Sequence, residues 1–192
     1  MNMKPKRKFC YGRVAGSAFR GLAVALAALA VCGIASAQQN TGKYSFNSQI
    51  AKFEGGIGVI TVSGANADGT AKLNVVRGVN PGGPWRIAAL SATVKSDGHI
   101  RVVGRGLLLA NGNGIGTNGG ASVHATLFCG AADATATPFD SPAVALETDG
   151  DFTVDDFLTA IPPAPCDNPA LLIRVGQPGG GVWFAAGIPD LE

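Results

Sequence analysis

The sequence predicts an all-β protein: an antiparallel β-sandwich of about eight to nine strands, closed by one disulfide and preceded by a cleaved signal peptide. Three observations lead there. Short runs rich in Val, Ile, Leu, Ala and Thr alternate with Gly, Asn, Asp and Pro clusters at intervals of about ten residues. Apolar spacing of three and four is missing over any useful length, which argues against helices. The chain also opens on a segment with the composition of an export signal.

That segment is residues 1–37. Lys4, Lys6, Arg7, Lys8, Arg13 and Arg20 precede an apolar run from Leu22 to Ile34, followed by Ala35-Ser36-Ala37. A basic start, a short apolar stretch and a small-x-small exit are the parts of a secretory signal peptide. The run is shorter than the roughly 20 residues needed to span a bilayer. The mature chain is expected to start at Gln38, to carry no membrane span and to reside in the periplasm or outside the cell. A minor alternative is a lipid anchor at Cys32, since Leu29-Ala30-Val31-Cys32 resembles a lipoprotein box; Val31 is bulky for it. Lys6-Arg7-Lys8-Phe9 resembles a twin-arginine signal with one arginine missing.

Export changes the charge. The chain has 15 cations and 13 acids; six cations and no acid fall in residues 1–37, leaving nine against thirteen, net −4. Without a basic run to neutralise phosphates, nucleic acid is not an expected partner. Cys10 and Cys32 leave with the signal, so Cys129 and Cys166 remain for one disulfide in an oxidising compartment.

Residues 38–54 read as a flexible leader or a first strand, and residues 55–192 as the sandwich domain. The expected strands are Ile57–Ser63, Lys72–Arg77, Arg86–Lys95, His99–Ala110, Ala121–Cys129, Ala143–Glu147, Phe152–Val154, Leu171–Val175 and Val182–Ala186. Asp68-Gly69, Asp97-Gly98 and Asp149-Gly150 suit hairpin turns, because both residue types tolerate positive φ. Asn80-Pro81-Gly82-Gly83-Pro84 and Ile161-Pro162-Pro163-Ala164-Pro165 cannot continue a ladder. Val154 to Ala160 reads as room for one helical turn. Leu107-Leu108-Leu109 is apolar on both faces and suggests a central strand. Arg101 and Arg105 share a strand face by the period of two.

The chemical motifs each have a plainer explanation. Gly114-Ile115-Gly116-Thr117-Asn118-Gly119 matches a dinucleotide fingerprint in letters, but a strand pattern follows where the fingerprint needs a helix. Glu147, Asp149, Asp151, Asp155 and Asp156 could offer oxygens to calcium, though the EF-hand order is not met. His99 and His124 are the only histidines; a zinc site needs three protein ligands, so carboxylates would have to join them. Ser122 and His124 share a strand face about 7 Å apart, too far for a direct bond. No serine sits on a G-x-S-x-G elbow. As sugar platforms, Trp85 and Trp183 are thin support, with Trp85 expected to be partly exposed and Trp183-Phe184 in the core.

In the broad architectural sense the expected fold is immunoglobulin-like. It hosts many functions and assigns none. Without a catalytic constellation, the expected function is an exported, non-catalytic module of the cell envelope or extracellular space. It would act through loops or a sheet face on an envelope protein or a glycan, with no cofactor. The alternative is a small secreted hydrolase or metal-dependent enzyme using His99 and His124 with carboxylates.

Overall fold

The computed structural model describes residues 48–59, 65–70 and 72–190. The signal peptide, the start at Gln38, the lipid site at Cys32 and the first part of 38–54 lie outside the described residues.

Eleven strands and no helix occur among the described residues. They are β1 (Gln49–Gly58), β2 (Trp85–Arg86), β3 (Ala89–Lys95), β4 (His99–Arg105), β5 (Leu108–Leu109), β6 (Ser122–Cys129), β7 (Thr137–Asp140), β8 (Val144–Ala145), β9 (Phe152–Phe157), β10 (Ala170–Val175) and β11 (Trp183–Pro189). Eight form one antiparallel path, β7-β6-β10-β11-β1-β3-β4-β9, curled into a half-barrel; β8 adds to β6, and β2 pairs with β5 as a separate ribbon.

The strands alternate as a half-buried sheet requires. Val123, Ala125 and Leu127 on β6 point inward, as do Leu171 and Ile173 on β10, Leu90, Ala92 and Val94 on β3, and Ile100 and Val102 on β4; all are buried. Burying each larger aliphatic side chain stabilises the fold by about 1.5–3 kcal/mol. These residues share one core cluster with Phe53, Phe152 and Phe184. Gly104 belongs to the same layer, and a side chain there would collide with the Phe152 ring.

The expected sandwich implies two separate sheets, whereas the hydrogen-bonded path runs unbroken through eight strands. Bulges supply the bending. Register shifts occur on β1 between Phe53 and Gly56 and in the β10–β11 pair between Ile173 and Arg174. Gly55, inside the first, has φ +82°. An extra residue on one strand bends it and increases its twist, so a single sheet wraps around its own core.

Several expected elements differ. Residues 72–77 form no strand, only an irregular segment with a Val76–Val79 bridge, despite their alternation. Its carbonyl at Asn74 accepts the Trp183 indole N–H at 3.1 Å, so the segment packs on the sheet instead of joining it. The leucine run is not a central strand. Gly106, at φ +61°, ends the ladder after β4; Leu107 is then buried in the core and Leu108–Leu109 pairs only with Trp85–Arg86. The helical turn at Val154 to Ala160 is replaced by strand as far as Phe157, because β4 pairs with β9 along that length. β7 was not expected. It contains Pro138, which is tolerated because β7 is an edge strand.

Cys129 and Cys166 form the disulfide, with Cα atoms 5.1 Å apart. It ties the end of β6 to the loop leading into β10. Nearby, Gly130 N–H donates to Asp167 O at 2.8 Å and Asn168 Nδ2 donates to Gly130 O at 2.9 Å.

Candidate functional site

The outer face of the half-barrel divides into two regions of different chemistry. The first is the outer face of β1, β3, β4 and β9. Antiparallel register sets its side chains in transverse rows: Glu54, Ser91, Val103, Thr153 in one and Lys52, Thr93, Arg101, Asp155 in the next. Ala89, Ser91 and Thr93 are small, and together they floor a shallow depression along β3. Its two lobes, of about 180 and 310 Å³, share Glu54, Ser91 and Val103. Arg101 walls one lobe and Arg105 the other, as their shared strand face implies.

Cross-strand ion pairs frame this depression. Arg105 Nη1 lies 3.2 Å from Asp151 Oδ2, and Asp151 Oδ1 accepts Gly106 N–H at 2.9 Å. Asp155 takes Arg101 on Oδ2 and His99 Nε2 on Oδ1, the latter at 2.9 Å. His99 also meets the Phe157 ring edge-on, with centroids 5.3 Å apart. On the opposite flank Lys52 Nζ lies 2.7 Å from Asp190 and 3.4 Å from Glu54. These hydrogen bonds and charges raise the Lys52 pKa, the Asp190 bond most, and hold it as ammonium.

The second region lies over β10, β6 and β7, where the outer face is covered. The pairs Arg174–His124 and Leu172–Thr126 face each other across β10 and β6, and Thr126 faces Asp140 across β6 and β7. His124 and Thr126 are 0% exposed, Asp140 7% and Arg174 8%. Buried polar groups of this kind must find partners. Thr126 Oγ1 donates to Asp140 Oδ1 at 2.5 Å, and Arg174 Nη1 lies 3.9 Å from the same oxygen. The glycine-rich loop 176–181 supplies the rest. Gly179 N–H donates to Asp140 Oδ2 at 2.8 Å, Arg174 Nε and Nη2 donate to Gly181 O at 3.3 and 3.0 Å, and His124 Nδ1 donates to Gly176 O at 2.9 Å.

A carbonyl only accepts, so His124 carries a proton on Nδ1, and in the neutral ring Nε2 is then a bare lone pair. That Nε2 is buried without a hydrogen-bond partner, 3.7 Å from Asp140 Oδ1. Burial lowers the His124 pKa below 6.5, and the Arg174 charge adds to the effect; the Gly176 bond and Asp140 oppose it. Burial likewise lowers the Arg174 pKa, with Asp140 restoring part of it.

The residues singled out from sequence therefore separate. His99 and His124 each meet a carboxylate, Asp155 and Asp140, but β10, β11, β1 and β3 lie between their strands in the sheet. The acids from Glu147 to Asp156 do not converge: Asp151 serves Arg105, Asp155 serves His99 and Arg101, and Asp149 caps the turn by accepting Asp151 N–H. Among the described residues, no three His, Cys, Asp or Glu side chains gather as a metal ion would need. Gly114 to Gly119 forms part of the loop between β5 and β6, pinned by Asn118 Nδ2 donating to the Leu146 and Glu147 carbonyls. Trp85 is buried, correcting the expectation of partial exposure; its ring stacks on Phe184 with centroids 4.1 Å apart. Trp183 is buried on the outer face with Phe128 and Leu172, so neither indole forms a sugar platform.

Sequence reasoning passed over Asp140 and Arg174. The available signal was Arg174 inside the apolar run Leu171-Leu172-Ile173-Arg174-Val175, directly before the glycine-rich stretch 176–181. No family model matches the chain, and no curated protein or solved structure matches it either.

Proposed function

We propose that the chain is an exported, non-catalytic β-module of the cell envelope or extracellular space, binding an envelope protein or a glycan through the open face of β1, β3, β4 and β9. The observation that carries this reading is the contrast in cover. Loops bury the outer face over β6 and β10, while the depression floored by Ala89, Ser91 and Thr93 stands open beside exposed Arg101 and Arg105. Each guanidinium has five N–H donors, so an ion pair to one aspartate leaves donors for a ligand. The disulfide is compatible with an oxidising compartment. The same reading treats the curled sheet as a sandwich in the broad, immunoglobulin-like sense, with side chains from β3, β4, β6 and β10 meeting in one core.

The enzyme reading through His99 and His124 draws on one solvent-accessible contact, His99 to Asp155, whose carboxylate Arg101 also occupies. His124 is sealed from solvent, so substrate would have no access to its free nitrogen. A binding experiment separates the readings. Purified protein is titrated with soluble envelope glycans and with isolated envelope proteins while backbone amides are followed by NMR. Shifts confined to β1, β3 and β4, abolished by Ser91→Trp and retained in His99→Gln, are expected. Turnover of a substrate lost in His99→Gln would replace the binding module with the hydrolase.

A further inference from the structure

Three buried side chains on three strands each hold one point of the loop 176–181: His124 on β6 holds Gly176, Asp140 on β7 holds Gly179, and Arg174 on β10 holds Gly181. Backbone bonds anchor the loop's ends, Gly176 N–H donating to Ser122 O at 2.9 Å and Val175 N–H to Val182 O at 3.0 Å, and the stretch around Gly179 lies between these anchors. Gly176, Gly179 and Gly181 all have positive φ, a conformation that glycine enters and leaves without steric cost. The side-chain clamp therefore decides whether the middle of the loop, at Gly179, stays down.

We propose that His124 makes this loop an acid-released latch, closed while Nε2 is bare and unfastened when Nε2 takes a proton. The groups facing the imidazole are few: the Thr126 hydroxyl on its own strand's outer face, the Asp140 carboxylate from β7, the Arg174 guanidinium from β10 and the Gly176 carbonyl from the loop. In the closed state the Nε2 lone pair faces Asp140 Oδ1 at 3.7 Å, two acceptors with no hydrogen between them. A second proton turns that standoff into an N–H aimed at a carboxylate.

A charge-assisted N–H···O bond spans about 2.7–2.9 Å, so the two groups must approach. The imidazole can move only by lengthening its bond to Gly176 O, and the carboxylate only by leaving Gly179 N–H or Thr126. If neither moves, a second buried cation sits beside Arg174, and lifting the loop to admit water relieves it. The imidazole shift loosens Gly176, and the lifting frees Gly179 as well. The carboxylate shift frees Gly179 when Asp140 Oδ2 leaves that N–H. The lowered pKa of His124 places the event on the acid side of 6.5.

Hydrogen exchange followed by NMR on the whole protein tests this at Gly179, whose amide is bonded only in the latched state. After correction for intrinsic rate, opening at Gly179 is expected to increase about tenfold per pH unit across the His124 titration. Amides of Leu127 and Ile173 in the core should not follow. His124→Gln, which keeps a neutral donor for Gly176 O, should make Gly179 opening independent of pH. Should that variant fail to fold, the wild-type imidazole resonances serve instead: the His124 midpoint must coincide with that of Gly179 opening. A pH-independent Gly179, core amides opening by the same factor, or midpoints that differ would each overturn the latch.

Discussion

The outer faces of the two halves of this sheet are built from similar residue types and treated oppositely. Over β4 and β9, Arg101, Arg105, His99, Asp151 and Asp155 pair across strands in contact with water. Over β6, β7 and β10, Arg174, His124 and Asp140 form a comparable set under a glycine-rich loop, nearly without exposure. The same chemistry has different consequences in the two places. Exposed pairs gain little, because water solvates each charge almost as well as its partner does. Buried ones gain little net but are costly to break, because a lone charge is then stranded. The covered half is therefore a structural clamp, and the open half, on the binding reading proposed above, is the one whose ion pairs could be exchanged for contacts to a ligand.

Four measurements can break or sharpen that contrast. Asp140→Ala should destabilise the protein by about 3–5 kcal/mol, since it strands the Arg174 charge and orphans Thr126 Oγ1–H and Gly179 N–H. Urea denaturation reads the loss, and a change under 1 kcal/mol, a value below any buried-pair cost, would erase the distinction between the halves. Replacing both Cys129 and Cys166 by Ser should remove about 4 kcal/mol on the chain-entropy account, because the bond closes a loop with a sequence separation of 37. The same loss should appear in the native protein under reducing conditions.

The third concerns pH. The folded-state pKa of His124 is depressed, so just below 6.5 the unfolded chain binds a proton that the folded one refuses. Stability is then fully present above 6.5 and declines as pH falls toward the folded value. Denaturation at pH 7.5 and 5.5 should show this decline in the wild type and a smaller one in His124→Gln; equal slopes would mean that the buried imidazole is protonated as readily as an exposed one. The smallest effect is expected on the open face. Asp155→Asn should shift stability by no more than about 1 kcal/mol, the carboxylate being 43% exposed. A loss comparable to that of Asp140→Ala would show that the open face is structural.

Much of the strand pattern was legible in order. β6 and β10 stood out because small or apolar residues recur at every second position, and Asp97-Gly98 marked the β3–β4 hairpin, with Gly98 at φ +89°. β7 was illegible because four residues containing a proline carry too little periodicity. The false strand at Lys72–Arg77 has alternation without a ladder: Val76 packs on the cluster around Trp183, and its neighbours Leu73 and Val75 remain exposed. The sequence reading placed His124 on one sheet face but could not say which, nor identify Asp140 and Arg174 as its neighbours.

Local pattern by itself determined the β class and the positions of most turns. These depend on residues close in sequence. The tertiary structure decided that one sheet would curl instead of dividing, that a loop would cover one half of its outer face, and that Arg174 would stand beside Thr126, 48 residues away. Those outcomes depend on strand register. A slip of one residue turns every side chain to the other face, and what prevents the slip is burial of Val123, Ala125 and Leu127 against strands far away in the chain.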